Sequence, residues 1–124
     1  MYSQPPAYVS GAFNTDPVAG TATNTVAIAA PGVGFVIRIV GGQIIQRNSA
    51  TLGDRFLISL VDAAPVTTFW RCTLATLYEN WANVLIPEPG ITLMENSGLT
   101  INSVCSAATK SVGYVIYYFV DQVA

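Results

Sequence analysis

The 124-residue chain contains no histidine. That absence removes a Ser-His-Asp triad, a Cys-His pair, a histidine-ligated zinc site and a histidine general base. Charge is almost as scarce: 10% of residues are Asp, Glu, Lys or Arg, against about 25% in ordinary soluble domains. The five basic residues are scattered and the formal net charge is −2. The basic patch on which nucleic-acid binding depends is therefore missing, and no nucleic-acid partner is expected. Cysteine is confined to Cys72 and Cys105, too few for a disulfide framework and spaced like no metal motif. They read as reduced, apolar thiols inside strands. No cofactor and no bound metal are expected.

Long apolar runs are missing too. Val26–Val40 is broken by Pro31, Gly32, Gly34 and Arg38, and Val112–Val120 falls far short of the roughly 20 residues of a spanning helix. The opening MYSQPPAYVS lacks the basic and apolar regions of a secretory signal. Neither a membrane partner nor a cleaved leader is expected.

What is present is apolar surface: 52% of residues belong to the hydrophobic set. A single domain of this size buries roughly two thirds of its unfolded surface, so a chain this apolar must hide some of the remainder against other protein subunits.

Residues 1–21 hold three of the seven prolines, Pro5, Pro6 and Pro17, and show no sustained periodicity. Proline fixes φ and biases the residue before it toward extended backbone, so this stretch reads as an extended N-terminal arm. It also carries Tyr2, Tyr8 and Phe13 with one charge, Asp16, whereas free tails are poor in aromatics. An arm docked on a neighbour explains those aromatics. An arm folded back on its own domain, or fraying, is the plainer alternative.

Residues 22–124 read as a β-sandwich domain. Period-two alternation, the signature of a strand, recurs at Thr23–Ala30, Phe35–Val40, Gln43–Arg47, Arg55–Val61, Val84–Ile86, Ile91–Met94, Leu99–Cys105 and Gly113–Val120, and a further strand-like stretch runs through Val66–Tyr78. Gly41-Gly42 marks a bulge or bend, and Tyr78–Asn83 reads as a loop or one helical turn. About eight strands with turn-rich connections and no amphipathic helix predict an all-β antiparallel sandwich of the jelly-roll type.

The final strand is apolar on both faces: Tyr114, Ile116, Tyr118 and Val120 on one, Val115, Tyr117 and Phe119 on the other. Either a loop covers its outer face, or that face meets another subunit. Tyrosine and phenylalanine suit the second role, so Tyr114, Tyr117 and Phe119 are the candidate subunit-contact residues.

Catalytic candidates are weak. Asp54, Asp62, Glu79, Glu88, Glu95 and Asp121 would be needed as a carboxylate pair for glycoside hydrolysis, but most fall at turns, where acids are common anyway. No Asp-x-Asp-x-Asp-Gly calcium loop is present. The glycines at 32, 34, 41 and 42 precede no helix, so they form no phosphate loop. Arg38, Arg47, Arg55 and Arg71 either keep an outer face soluble or pair with a neighbour's carboxylates. The chain is expected not to be an enzyme.

The order Ile37-Arg38-Ile39-Val40, Asp54-Arg55-Phe56-Leu57-Ile58-Ser59-Leu60, Ile86-Pro87-Glu88-Pro89-Gly90-Ile91 resembles the small β-sandwich proteins on the heads of tailed bacteriophages. The ending Gly98-Leu99-Thr100-Ile101 with Gly113-Tyr114-Val115-Ile116-Tyr117-Tyr118 is similar too. The resemblance covers roughly residues 33–120. It implies a decoration, or cement, protein: a homotrimer that binds the major capsid protein on the virion surface, reinforces the shell and assembles in the bacterial host cytoplasm. The arm residues Tyr2, Pro5, Pro6, Tyr8 and Phe13 would then be its capsid-binding contacts. Two other readings fit the same pattern. One is a trimeric tail, baseplate or fibre-head module. The other is a carbohydrate-binding jelly roll in which Trp70, Trp81 or Tyr78 stacks on sugar rings.

Overall fold

The computed structural model describes residues 7–14, 22–47, 56–64, 66–74, 80–105 and 111–123. They form nine strands: β1 (Ala7–Asn14), β2 (Ala22–Ile28), β3 (Phe35–Arg47), β4 (Phe56–Ala63), β5 (Val66–Leu74), β6 (Asn80–Leu85), β7 (Ile91–Thr92), β8 (Leu99–Cys105) and β9 (Ser111–Gln122). No described segment is helical.

Two antiparallel sheets face each other. One has the order β1-β9-β3-β6, with the two-residue β7 also paired to β3; the other has the order β2-β8-β4-β5. Leaving β7 aside, the first strand pairs with the last, the second with the next to last, and so inward to β4–β5. That nesting is a long antiparallel ribbon folded over and rolled up, the jelly-roll arrangement. The all-β sandwich expected from the strand spacing is the fold observed.

Between the sheets Ile37, Ile39, Ile44, Ile58, Leu60, Leu99, Ile101 and Ile116 are all 0% exposed. Each contributes roughly 1.5–3 kcal/mol by leaving water. Bulges decide which residues reach this core. In β3 the register with β9 jumps from Ile39↔Tyr118 to Gly41↔Tyr117. The extra residue, Val40, switches the inward positions from odd to even, so Ile37 and Ile39 are followed inward by Ile44. Gly41-Gly42 sits at this bulge, where the paired glycines predicted one. Gly42 is there for space: a Cβ on it would lie 2.2 Å from the Val115 carbonyl oxygen. A second shift between Leu60 and Val61 leaves Phe69 without a direct cross-strand partner. As a result Phe69 packs on the core together with Trp70 and Cys72, although strict alternation would send it outward.

Two expected boundaries move. Eight of the residues assigned to the arm, Ala7–Asn14, are strand β1, paired to β9 from Ala7↔Tyr118 to Asn14↔Ser111. The sandwich therefore begins at Ala7 and not near residue 22. Over this stretch the plainer alternative, folding back on its own domain, is the one observed. The reason is long-range pairing: the partner strand lies at the far end of the chain, where local periodicity gives no hint of it. Tyr2, Pro5 and Pro6 lie outside the described residues. Likewise strand β6 spans Asn80–Leu85: the strand expected at Val84–Ile86 begins at Asn80, within the stretch Tyr78–Asn83 that read as a loop or helical turn.

One end of the sandwich is tied by polar contacts. Asp62, at the end of β4, accepts hydrogen bonds from the Met94 amide at 2.9 Å and from the Ser97 hydroxyl. Ser97 Oγ in turn accepts from the Ala64 amide at 2.9 Å, and the Asn96 amide donates to the Phe35 carbonyl at 2.9 Å. These bonds hold the β7–β8 connection against both sheets and satisfy a buried carboxylate.

Candidate assembly surface

The outside of the five-stranded sheet carries a group of large, exposed aromatic and aliphatic side chains. Its register places side chains in rows across the strands. One row is Tyr8–Tyr117–Gly41–Leu85, the next outward row contains Val115, Gln43 and Asn83, and the third contains Ile45 and Trp81. Tyr8 is 68%, Tyr117 51%, Trp81 60% and Leu85 80% exposed. Such side chains, clustered and not scattered, mark a contact surface. Gly41 has no side chain, so a notch of about 560 Å3 opens over Gly41 and Gly42, bounded by Leu85 and Pro87.

Charge is sparse on this face, where the register also gives Arg47 an outward position although its side chain lies outside the described residues. Among its described side chains Arg38 and Asp121 are the charged ones, and they neutralise each other: Arg38 Nε donates to Asp121 Oδ2 at 2.8 Å. The Arg38 guanidinium also donates to the Pro89 carbonyl at 2.9 Å and lies 4.3 Å above the Phe119 ring. Arg38 is thus engaged within its own chain, an arrangement that neither of the two roles considered for it described. A desolvated guanidinium over an aromatic face is favourable in its own right.

The predicted contact residues divide. Tyr117 is exposed on the outer face as expected. Phe119 shares that face but is half-buried beneath Arg38. Tyr114 is 8% exposed and belongs to the core; as a subunit-contact residue it is corrected. Period two shows that Tyr114, Ile116 and Tyr118 share a face, and the second sheet decides that this face points inward. Tyr8 lies on the outer face of β1, and the Phe13 side chain is outside the described residues. Trp81 and Leu85 were not among the predicted contacts: Trp81 falls in a stretch that did not read as a strand, and the three-residue strand expected at Val84–Ile86 was too short to assign Leu85 a face.

Among the described residues most of the other candidate groups are engaged, with Glu88 an exposed carboxylate in the turn before β7. Asp62 and Asp121 are taken up as above, and Glu95 accepts the Gly34 amide at 3.1 Å. Asp54 and Glu79 lie outside the described residues. No group of three His, Cys, Asp or Glu side chains among the described residues is placed to hold a metal. Burial pushes the Cys72 thiol up to about 11, which disfavours the nucleophilic thiolate. Trp70 packs on the core and offers no open platform, and Tyr78 lies outside the described residues. The four-stranded sheet has an outer hollow of about 480 Å3 in which the apolar Val26, Leu57, Val61 and Val66 alternate with the polar Asn24, Ser59, Thr68, Arg71 and Asn102; it is a second partly apolar surface, with a charged group inside it.

The sequence matches no protein-family model and no curated protein. Similar folds do occur among solved structures. A chain of the empty top component of cowpea mosaic virus matches with a TM-score of 0.57 at 10% identity, over 100% of this chain and 92% of its own. A chain of the acid-stable capsid of Helicobacter pylori bacteriophage KHP30 matches with a TM-score of 0.57 at 11% identity, over 99% of this chain and 96% of its own. One from broad bean stain virus matches with a TM-score of 0.52 at 8% identity, over 94% of this chain and 87% of its own. At such identities the likeness concerns the fold: this chain has the viral jelly-roll sandwich.

Proposed function

We propose that this chain is a non-enzymatic virion protein, a capsid decoration or cement protein that binds the outer surface of a bacteriophage's major capsid protein shell as a homotrimer and stabilises it. The observation that carries the reading is the outer face of the five-stranded sheet. It is aromatic and exposed, the charged side chains described on it pair with each other, and such a face in a chain with 10% charged residues needs a protein partner. The fold supports it, because a chain of nearly equal extent in the KHP30 capsid has the same sandwich. In this account Tyr117, beside the half-buried Phe119, belongs to the contact between subunits. The segment ahead of β1, with Tyr2, Pro5 and Pro6, reaches the capsid protein.

A carbohydrate-binding reading is favoured by one feature, the 60% exposed Trp81 two residues from the Gln43–Asn83 amide pair. Stacking on a sugar requires an aromatic ring beside polar groups, and this site has both. A glycan array separates the two functions.

The test of the main reading is co-sedimentation of the purified protein with empty heads of a phage that encodes it, followed by heating. Saturable binding and a higher disassembly temperature are expected. Heads that neither bind the protein nor gain stability contradict the reading.

A further inference from the structure

Among the described residues, nothing guards the two border strands of the five-stranded sheet. β1 and β6 end the order β1-β9-β3-β6, and no described strand pairs along the outer border of either. Soluble proteins usually blunt such borders with charge, proline or a bulge, because a row of unpaired amides and carbonyls recruits another strand. β1 (AYVSGAFN) and β6 (NWANVL) contain no charged residue and no proline. Their pairings with β9 and β3 also run without a register shift. The other sheet is different: β2 breaks register between Val26 and Ile28, and β5 carries Arg71 and faces the shift at Leu60 and Val61.

Side chains point the same way. Tyr8 stands on β1, and Trp81 and Leu85 stand on β6, all strongly exposed and all on the outer face. Each border thus offers both an open ladder and apolar side chains.

Strand direction then selects the pairing. Every neighbour in β1-β9-β3-β6 is antiparallel, so β1 and β3 run one way, β9 and β6 the other. β6 of one copy, laid beside β1 of a second copy in the same orientation, continues the antiparallel alternation. Such a head-to-tail contact closes into a ring when the rotation between copies permits it.

We propose that copies of this chain join by strand addition, with the outer border of β6 in one copy pairing antiparallel with the outer border of β1 in the next. The inference rests on the homotrimer reading and supplies its joint. Three five-stranded sheets become one continuous belt. With the rows continued across the joint, Leu85 of one copy stands across from Tyr8 in the next, the cross-strand apolar pairing that stabilises antiparallel sheets, and Trp81 lies two rows further along the same border.

The joint has two unlike halves, which makes it testable by mixing. One variant, Tyr8→Lys, spoils the β1 border; a second, Trp81→Lys with Leu85→Lys, spoils the β6 border. All three positions are exposed, and circular dichroism melts check that both proteins fold. Light scattering after size exclusion is expected to give a trimer for the wild type, a monomer for each variant alone, and a one-to-one dimer when the variants are mixed, because one good border of each kind remains. Either variant staying trimeric, or a mixture that stays monomeric, overturns the joint while leaving the homotrimer reading intact. A wild type that is itself monomeric overturns the homotrimer reading. If a lysine variant does not fold, Tyr8→Thr and the pair Trp81→Thr with Leu85→Thr replace them. Threonine keeps strand propensity, and loss of trimer in each, restored to dimer on mixing, is again the expected result.

Discussion

Tyr8 on β1 and Tyr117 on β9 stand directly opposite one another, with ring centroids 6.3 Å apart and planes inclined by 53°. Tilted aromatic pairs of this kind are worth about 0.5–1.5 kcal/mol beyond their buried area. The pair fastens a border strand from the start of the chain to a central strand from its end. It also leaves both phenols facing outward, where they form the aromatic half of the proposed contact face.

Tyr117→Asp should therefore leave the fold intact and weaken self-association. Truncating a central interface aromatic typically costs about 2 kcal/mol or more, which is roughly a 30-fold weaker association. Thr73→Asp, an exposed position on β5 of the opposite sheet, serves as the control and should change association little. Sedimentation equilibrium on both variants checks this. Ser59, although polar, is unsuitable as a control because it is buried.

The place of β1 in the sheet makes two truncations behave differently. Removing residues 1–6 should leave the melting temperature unchanged and reduce binding to phage heads. Removing residues 1–21 also strips β1, with Val9 packed on the core and the whole β9 border exposed. That protein should melt far lower or fail to fold. Equal melting temperatures for the two truncations would show that β1 contributes nothing to the sandwich.

Gly42→Ala should be severely destabilising. Its Cβ would meet the Val115 carbonyl oxygen at 2.2 Å and the Ile116 Cα at 3.1 Å, both backbone atoms that cannot turn away. The two central strands would have to part at their bulge, a loss of roughly 3 kcal/mol. Gly41→Ala meets one backbone oxygen at 3.3 Å and should be milder. Urea unfolding of both variants gives the comparison.

Cys72 should resist alkylation in the native protein. Burial raises its pKa from 9.0 to about 11, so at pH 8 its thiolate is roughly a hundredfold scarcer than in the unfolded chain. Folding favours the protonated thiol, so this contribution to stability is complete below pH 9 and is lost as pH rises from 9 toward 11. In a Cys105→Ala background, iodoacetamide should label the native protein slowly and the urea-unfolded protein fast. Melts at pH 8 and pH 10.5 should show a larger drop for this protein than for the same background with Cys72→Val. Equal labelling rates in the two states would contradict the burial of this thiol.

Strands with one apolar and one polar face were legible before any coordinates: Leu99, Ile101 and Ser103 alternate with Thr100, Asn102 and Val104, and β8 spans Leu99–Cys105. The bulge at Gly41-Gly42 was legible because paired glycines inside a strand have few other uses. The second half of β6 was legible in Val84–Ile86; its first half was hidden because the outward Trp81 is at least as apolar as the inward Ala82, which erases the alternation. β1 was hidden because the prolines on either side of it, Pro5, Pro6 and Pro17, and its own Gly11 resemble a linker, and its partner lies at the other end of the chain. The contact face was half legible. Both faces of β9 are aromatic, and only the packing of the second sheet makes Tyr114 core and Tyr117 surface.

The most direct test of the proposed role is cryo-electron microscopy of phage heads incubated with the purified protein, compared with untreated heads. The account predicts added density of threefold symmetry on the outer surface of the head, into which three copies of the sandwich fit with their five-stranded sheets adjoining. Heads without added density, or density confined to the tail, would contradict it.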